Sequence, residues 1–99
     1  MTELITPSTL NVDVTLVYSK NNCVKCKQTK MLMERSNIPY KEVNIEESGL
    51  FEEYIDMLKD GDDAGLAMPV VVPAQSTQLE RWNDFRPTNI KALALALKS

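Results

Sequence analysis

Histidine is absent from this 99-residue chain. That removes cysteine–histidine nucleophilic catalysis, zinc sites of mixed cysteine and histidine ligands, and histidine acid–base chemistry. Long apolar runs are missing too, and none has the length a membrane-crossing helix needs. Met1 to Asn11 carry neither the basic stretch nor the apolar stretch of a secretory signal. An excess of positive charge is lacking: the net charge of −3 argues against general nucleic-acid binding. There are no internal repeats and no low-complexity tracts. Cysteine is scarce, with only Cys23 and Cys26. A reducing cytoplasm is therefore the expected compartment, where a close cysteine pair is more often catalytic or metal-binding than structural.

What is there begins with that pair. Two residues separate the cysteines, and they sit where a strand-like run, Val12 to Tyr18, gives way to a helix-like run, Val24 to Arg35. A C-x-x-C at a strand-to-helix junction is the sequence form of a thiol–disulfide redox site. At the start of a helix, free backbone N–H groups and the helix dipole favour an anion. The first cysteine is thereby favoured as thiolate, which is the nucleophile. The second lies about one turn further in and can close a small disulfide ring. Two bland readings stand beside this one. The first makes the cysteines small buried hydrophobes. The second makes them half of a four-cysteine zinc or iron–sulfur site that a dimer would share.

The length fits one domain, and 43% hydrophobic residues suit a globular core. Residues 1–11 are read as a short polar leader and 12–99 as the domain. Val12, Val14, Leu16 and Tyr18 alternate with Asp13, Thr15 and Val17, as a strand does. In the first helix Lys27, Lys30 and Glu34 share a narrow edge, so wide burial of the remainder is expected. Tyr40, Val43 and Ile45 suggest a second strand. Leu50, Phe51, Tyr54, Ile55 and Leu58 mark a second helix, with Ser48 as cap and Gly61 as end signal. Asp60 to Gly65 is a polar loop. Pro69 to Val72 reads as a buried strand opened by proline, Pro73 to Ser76 as a turn, and Thr77 to Trp82 as a short strand pairing back. Pro87 starts a last helix whose stripe is Ile90, Leu93, Ala94 and Leu97. The order is β-α-β-α-β-β-α. A helix joins the first two strands, which should be parallel, and the last two should be antiparallel. This is the α/β, thioredoxin-like arrangement: a mixed four-stranded sheet with helices on both faces.

Charge is unevenly placed. Lys20, Lys25, Lys27, Lys30 and Arg35 surround the cysteines with only Glu34 opposing. From Glu42 to Asp63 there are nine acidic residues and one lysine. The first group reads either as a solvated face or as a basic rim that favours thiolate and steers acidic partners.

Three segments carry a family resemblance. Val14 to Cys26 resembles the start of glutaredoxin-like proteins, and Val24-Lys25 between the cysteines resembles the NrdH-type redoxins more than the C-P-Y-C of glutaredoxins. Met68 to Val72 resembles the family's x-Pro-V-V segment, whose proline is cis. Trp82-Asn83-Asp84-Phe85-Arg86-Pro87 is similar to the NrdH-type W-S-G-F-R-P, with Asn83-Asp84 in place of Ser-Gly. The segment from Pro73 to Arg81 is longer than the family's usual hairpin, and the double glycine of glutaredoxins is missing after Val72.

The resemblance implies a dithiol–disulfide oxidoreductase with no bound cofactor, acting as a cytoplasmic monomer. It implies electron donation to a class Ib ribonucleotide reductase and recharging by thioredoxin reductase, without nucleic-acid or membrane partners. Cys23 would attack and Cys26 resolve. Met68 and Pro69 would present backbone to an incoming segment, and Lys20, Val24, Lys25 and Trp82 are candidate partner contacts. For Trp82 core packing is the competing reading. A glutathione-dependent glutaredoxin and a thioredoxin-fold metal-binding or docking module are the alternative functions.

Overall fold

Alternation along β1 (Thr15–Ser19) decides the architecture. The strand is buried throughout, and its side chains split by parity. Leu16 and Tyr18 enter one core cluster and Val17 the other, as a strand covered on both faces requires. In the computed structural model, which describes residues 4–7, 9–10, 12–59 and 67–98, β1 lies at the centre of a four-stranded sheet of order β2-β1-β3-β4. It pairs in parallel with β2 (Tyr40–Asn44) and antiparallel with β3 (Val70–Val72), and β3 pairs antiparallel with β4 (Trp82–Asn83). The described residues add three α-helices: α1 (Val24–Arg35), α2 (Phe51–Lys59) and α3 (Pro87–Lys98). Element order, strand directions and the mixed sheet are those the sequence pattern predicts, and the fold is thioredoxin-like.

Each sheet face receives its own helices. Tyr54 and Leu58 of α2 pack with Leu16, Tyr18, Val43 and Val70. Met33 of α1 joins Ile90 and Leu93 of α3 over Val17, Val71 and Trp82. Cys26 belongs to the α2-side cluster although it lies on α1. The start of α1 therefore sits at the edge of the sheet, where the two clusters meet.

Several expectations are corrected by tertiary contacts. Val12 is exposed and the first strand begins at Thr15. The reason is Asp13, whose two carboxylate oxygens accept the N–H groups of Gln75 (2.6 Å) and Ser76 (3.0 Å). These N–H groups open a 3-10 turn, Gln75–Thr77, in place of the expected strand from Thr77, so β4 is only two residues long. Wide burial of α1 is not found: Cys26, Thr29 and Met33 are buried, while Val24 is 71% and Met31 48% exposed. A helix lying on one sheet face keeps an outer side in solvent whatever its composition. Ser48 is not the cap: it lies two residues before the cap position, Leu50, accepting the Leu50 N–H and donating to the Ile45 carbonyl. Gly61 and the loop Asp60 to Gly65 lie outside the described residues.

The leader is less polar in effect than its composition suggests. Leu4, Ile5 and Leu10 pack against the α2-side cluster. The Ile5 backbone is held at both ends: Tyr18 donates its hydroxyl to the carbonyl, and the N–H donates to the Tyr54 hydroxyl at 2.8 Å. Burial pushes the Tyr18 hydroxyl up to about 12, with Tyr54 adding to the shift and Arg81 opposing it. Tyr18 therefore stays a neutral donor.

Packing and capping each generate a prediction. Leu93 is fully buried and Leu95, two residues on, is 60% exposed. Leu93→Ala should cost about 2–5 kcal/mol in urea unfolding, and Leu95→Ala less than about 0.5 kcal/mol. Equal effects would contradict the α3 orientation. The Asp13 carboxyl is held below its ordinary value, chiefly by the Ser76 side chain, then against desolvation by the N–H groups of Ser76 and Gln75. A lowered folded value means its contribution is present above the unfolded pKa and is lost as pH falls through the folded one. Between about pH 5 and about pH 2, Asp13→Asn should show a shallower loss of stability than the parent. Parallel acid limbs would remove Asp13 from that role.

Candidate active site

The sheet register brings three distant segments to one edge. Tyr18 pairs with Val70, and Val70 with Asn83. The end of β1, the start of β3 and the end of β4 therefore lie side by side. β1 runs on into Lys20 to Cys23, β3 is preceded by Met68-Pro69, and β4 is followed by Asp84. The Asp84 N–H donates to the Pro69 carbonyl at 2.8 Å and locks two of these segments together. The Met68–Pro69 peptide is cis.

Cys23 is the N-cap of α1. Its backbone is extended, with φ −117° and ψ 102°, and its Sγ accepts the Cys26 N–H at 3.1 Å. Sulfur here takes the place a serine or aspartate oxygen usually fills, satisfying a donor the helix start leaves free. The loop before it is fastened to the end of β2. Ile45 donates its N–H to the Ser19 carbonyl at 2.9 Å, Asn44 bonds Asn21 at 2.9 Å, and the Asn21 N–H reaches the Glu46 carboxylate at 2.6 Å. Asn22 turns into the cap with φ of 54°, a conformation asparagine tolerates better than most residues.

Cys23 and Cys26 form a disulfide, with their Cα atoms 5.2 Å apart. Cys26 is 2% exposed and sits in the core beside Met68, whereas Cys23 is half-buried at the surface. The arrangement presents one sulfur outward at a helix start and keeps the second behind it. Chemically it can take two electrons to become a dithiol and return them. Among the described residues no three His, Cys, Asp or Glu side chains gather as a metal-binding group.

The other residues singled out by sequence fall unequally. Lys20 and Val24 are exposed beside the disulfide, and Lys20 lines an open groove of about 580 Å³ with Asn21, Cys23, Lys27, Lys30 and Glu42. Met68 and Pro69 are both buried, the former within the core cluster of Cys26. Trp82 is not brought to the rim. It is 7% exposed and packs with Val17, Met33, Val71, Ile90 and Leu93, so core packing, the competing reading, describes it. A strand of two residues has one face for the α1–α3 core, and the indole fills it.

The basic rim is also smaller than the sequence suggests. Lys25 pairs with Asp84 at 2.9 Å, and Lys30 with Glu42 at 2.6 Å. Glu42 also accepts the hydroxyl of buried Ser19 at 2.7 Å. Burial works to raise the Glu42 carboxyl, but the bonds from Lys30 and Ser19 outweigh it and hold it below its usual value. Lys20 and Lys27 have no ion-pair partner among the described residues. Sequence reasoning missed Glu42 and Asp84 as site residues. Nothing in the sequence signals the Glu42 contact, which crosses from α1 to β2. The signal for Asp84 is its place in the Trp82 to Pro87 segment.

Comparison with known proteins agrees with this geometry. The glutaredoxin family model matches residues 15–72. The glutaredoxin-like protein NrdH of Lactococcus lactis subsp. cremoris is 34% identical over 79 residues, covering 79% of this chain and 96% of that protein. NrdH of Salmonella typhimurium is 30% identical over 82 residues, with 78% and 84% covered. Among solved structures, the NrdH-redoxin of Escherichia coli superposes with a TM-score of 0.60 at 25% identity, over 78% of this chain and 90% of that one. A glutaredoxin of Archaeoglobus fulgidus gives 0.66 at 18% identity, over 84% and 87%, a likeness of fold. With its cysteine pair at the start of α1 and these relatives along most of its length, the chain belongs to the glutaredoxin family, as a glutaredoxin-like redoxin of the NrdH type.

Proposed function

We propose that this redoxin is a cytoplasmic, monomeric electron donor to a class Ib ribonucleotide reductase and is itself recharged by thioredoxin reductase. The observation that carries the chemistry is the asymmetry of the pair, one sulfur half-buried at a helix start and the other 2% exposed. Support for the partners comes from the NrdH relatives at 30–34% identity. No helix among the described residues is long and apolar enough to cross a membrane.

In the reduced protein the Cys23 thiolate attacks one sulfur of the partner's disulfide. That S–S bond breaks, the far sulfur leaves as thiolate and takes up a proton, and a mixed disulfide forms. Cys26 gives up its proton and attacks the Cys23 sulfur. The Cys23–Cys26 bond forms, the partner's second sulfur leaves, and two electrons have passed to the partner. Thioredoxin reductase then returns two electrons from NADPH. Pro69 and the Met68 backbone beside the pair would seat the extended segment that carries the partner's cysteine, with Lys20, Val24 and Lys25 at its margin.

Two experiments test this reading. Cys26→Ser should accumulate a mixed disulfide with a disulfide substrate on non-reducing gels, and Cys23→Ser should not. Equal trapping by both variants would reverse or dissolve the assignment. Oxidised protein should be reduced at least about tenfold faster by NADPH with thioredoxin reductase than by NADPH, glutathione and glutathione reductase, a difference of about 1.4 kcal/mol in barrier. Faster reduction by glutathione would make it a glutaredoxin in function.

A further inference from the structure

Asp84 occupies an unusual place. Its φ of 75° lies in the left-handed region, where glycine sits freely and aspartate is tolerated at some cost. Its backbone N–H bonds the Pro69 carbonyl at 2.8 Å. Its carboxylate accepts the Phe85 N–H at 2.7 Å and the Lys25 ammonium at 2.9 Å. Lys25 lies between the two cysteines. One residue therefore touches the segment between the cysteines, the cis-proline segment and the turn into α3. Lys25 and Phe85, with Arg86 nearby, hold the carboxyl below its ordinary value, so it is an anion at working pH.

We propose that Asp84 is a positioning residue of the exchange reaction: by pairing with Lys25 it withdraws that ammonium's charge from Cys23, leaving the thiolate less stabilised, more nucleophilic and more reducing. The charges around Cys23 support this division. On the β1–α1 loop and α1, Lys20 and Lys27 are unpaired among the described residues. Lys30 is spent on Glu42 of β2, and Glu46 beyond β2 faces the Asn21 N–H. On the α3 side stand Asp84 and Arg86, the latter's guanidinium bonded to the Asn83 carbonyl at 2.9 Å. Asp84 is thus the anion that sets how much of the Lys25 charge Cys23 feels. As a stability element the exposed pair is worth little; its consequence is electrostatic. A more acidic thiol is the weaker nucleophile once ionised, and the better leaving group. A cation left free beside Cys23 would stabilise the reduced form and make the protein a poorer donor.

The proposal rests on Cys23 being the attacking sulfur, and not on which reductase or substrate is served. The test titrates Cys23 alone by thiolate absorbance in the ultraviolet, in the full chain carrying Cys26→Ser. In that background Asp84→Asn, which keeps an acceptor for the Phe85 N–H, should lower the titration midpoint by about half a pH unit, the size expected for removing one charge at the rim. Asp84→Gly should lower it equally, and Lys25→Gln should raise it. The shifts should shrink in about 1 M salt, where charges are screened within about 3 Å. An unchanged midpoint in Asp84→Asn, or a shift seen only in Asp84→Gly, would overturn the proposal, the second because it would trace to backbone relief. All readouts are on the free thiol, so failure of the reductase assay leaves a separate signature.

Discussion

The unsatisfied N–H groups at the start of α1 are the constraint on which the rest turns. Any helix leaves its first donors free, and something must accept them. Here the acceptor is the Cys23 sulfur, taking the Cys26 N–H at 3.1 Å. That single bond couples helix formation to redox chemistry, because the group that completes the helix start is the one that carries the electrons. It also explains why the loop ahead is so closely fastened. If Asn21 and Asn22 wandered, Cys23 would lose its extended geometry, and with it the cap. The bonds from Asn44, Ile45 and Glu46 hold that loop to the end of β2, so the parallel pairing of β1 and β2 helps to position the cysteine pair.

A second consequence concerns charge. Five basic residues near a thiol read as a strong field. Folding divides them, pairing Lys25 with Asp84 and Lys30 with Glu42. The pairs are partly exposed, and their worth to stability is small. Their effect is on where positive charge remains, which is on the Lys20 and Lys27 side of the groove. The same fold that collects cations along the β1–α1 loop and α1 thus also supplies the carboxylates that pair two of them.

Local pattern and structure agree on the type of most elements. Period-two alternation from Val14 to Tyr18, helical spacing from Ile90 to Leu97 and the cysteine spacing each report a preference set by near neighbours. Boundaries agree less well. Val12 is lost to solvent because Asp13 caps a turn 62 residues away in sequence. The strand expected from Thr77 becomes a 3-10 turn for the same reason, as Asp13 and Thr15 capture the N–H groups of Ala74 to Ser76. Trp82 goes to the core, since a strand at the sheet edge must still cover α3.

Spacing and composition are enough to dictate the order of elements and the chemistry available: two sulfurs, at a strand-to-helix junction, with no histidine. Such signals act over a few residues. Long-range contacts dictate the remainder. They turn one sulfur outward, stand Met68 and Pro69 beside the pair, make Tyr18 and Tyr54 grip Ile5, and give Lys25 to Asp84. Each of those depends on contacts between segments that local sequence does not join, 13 residues apart for Tyr18 and Ile5 and 49 for Tyr54 and Ile5. Register is settled by burying both faces of β1 at once, a condition no local pattern contains.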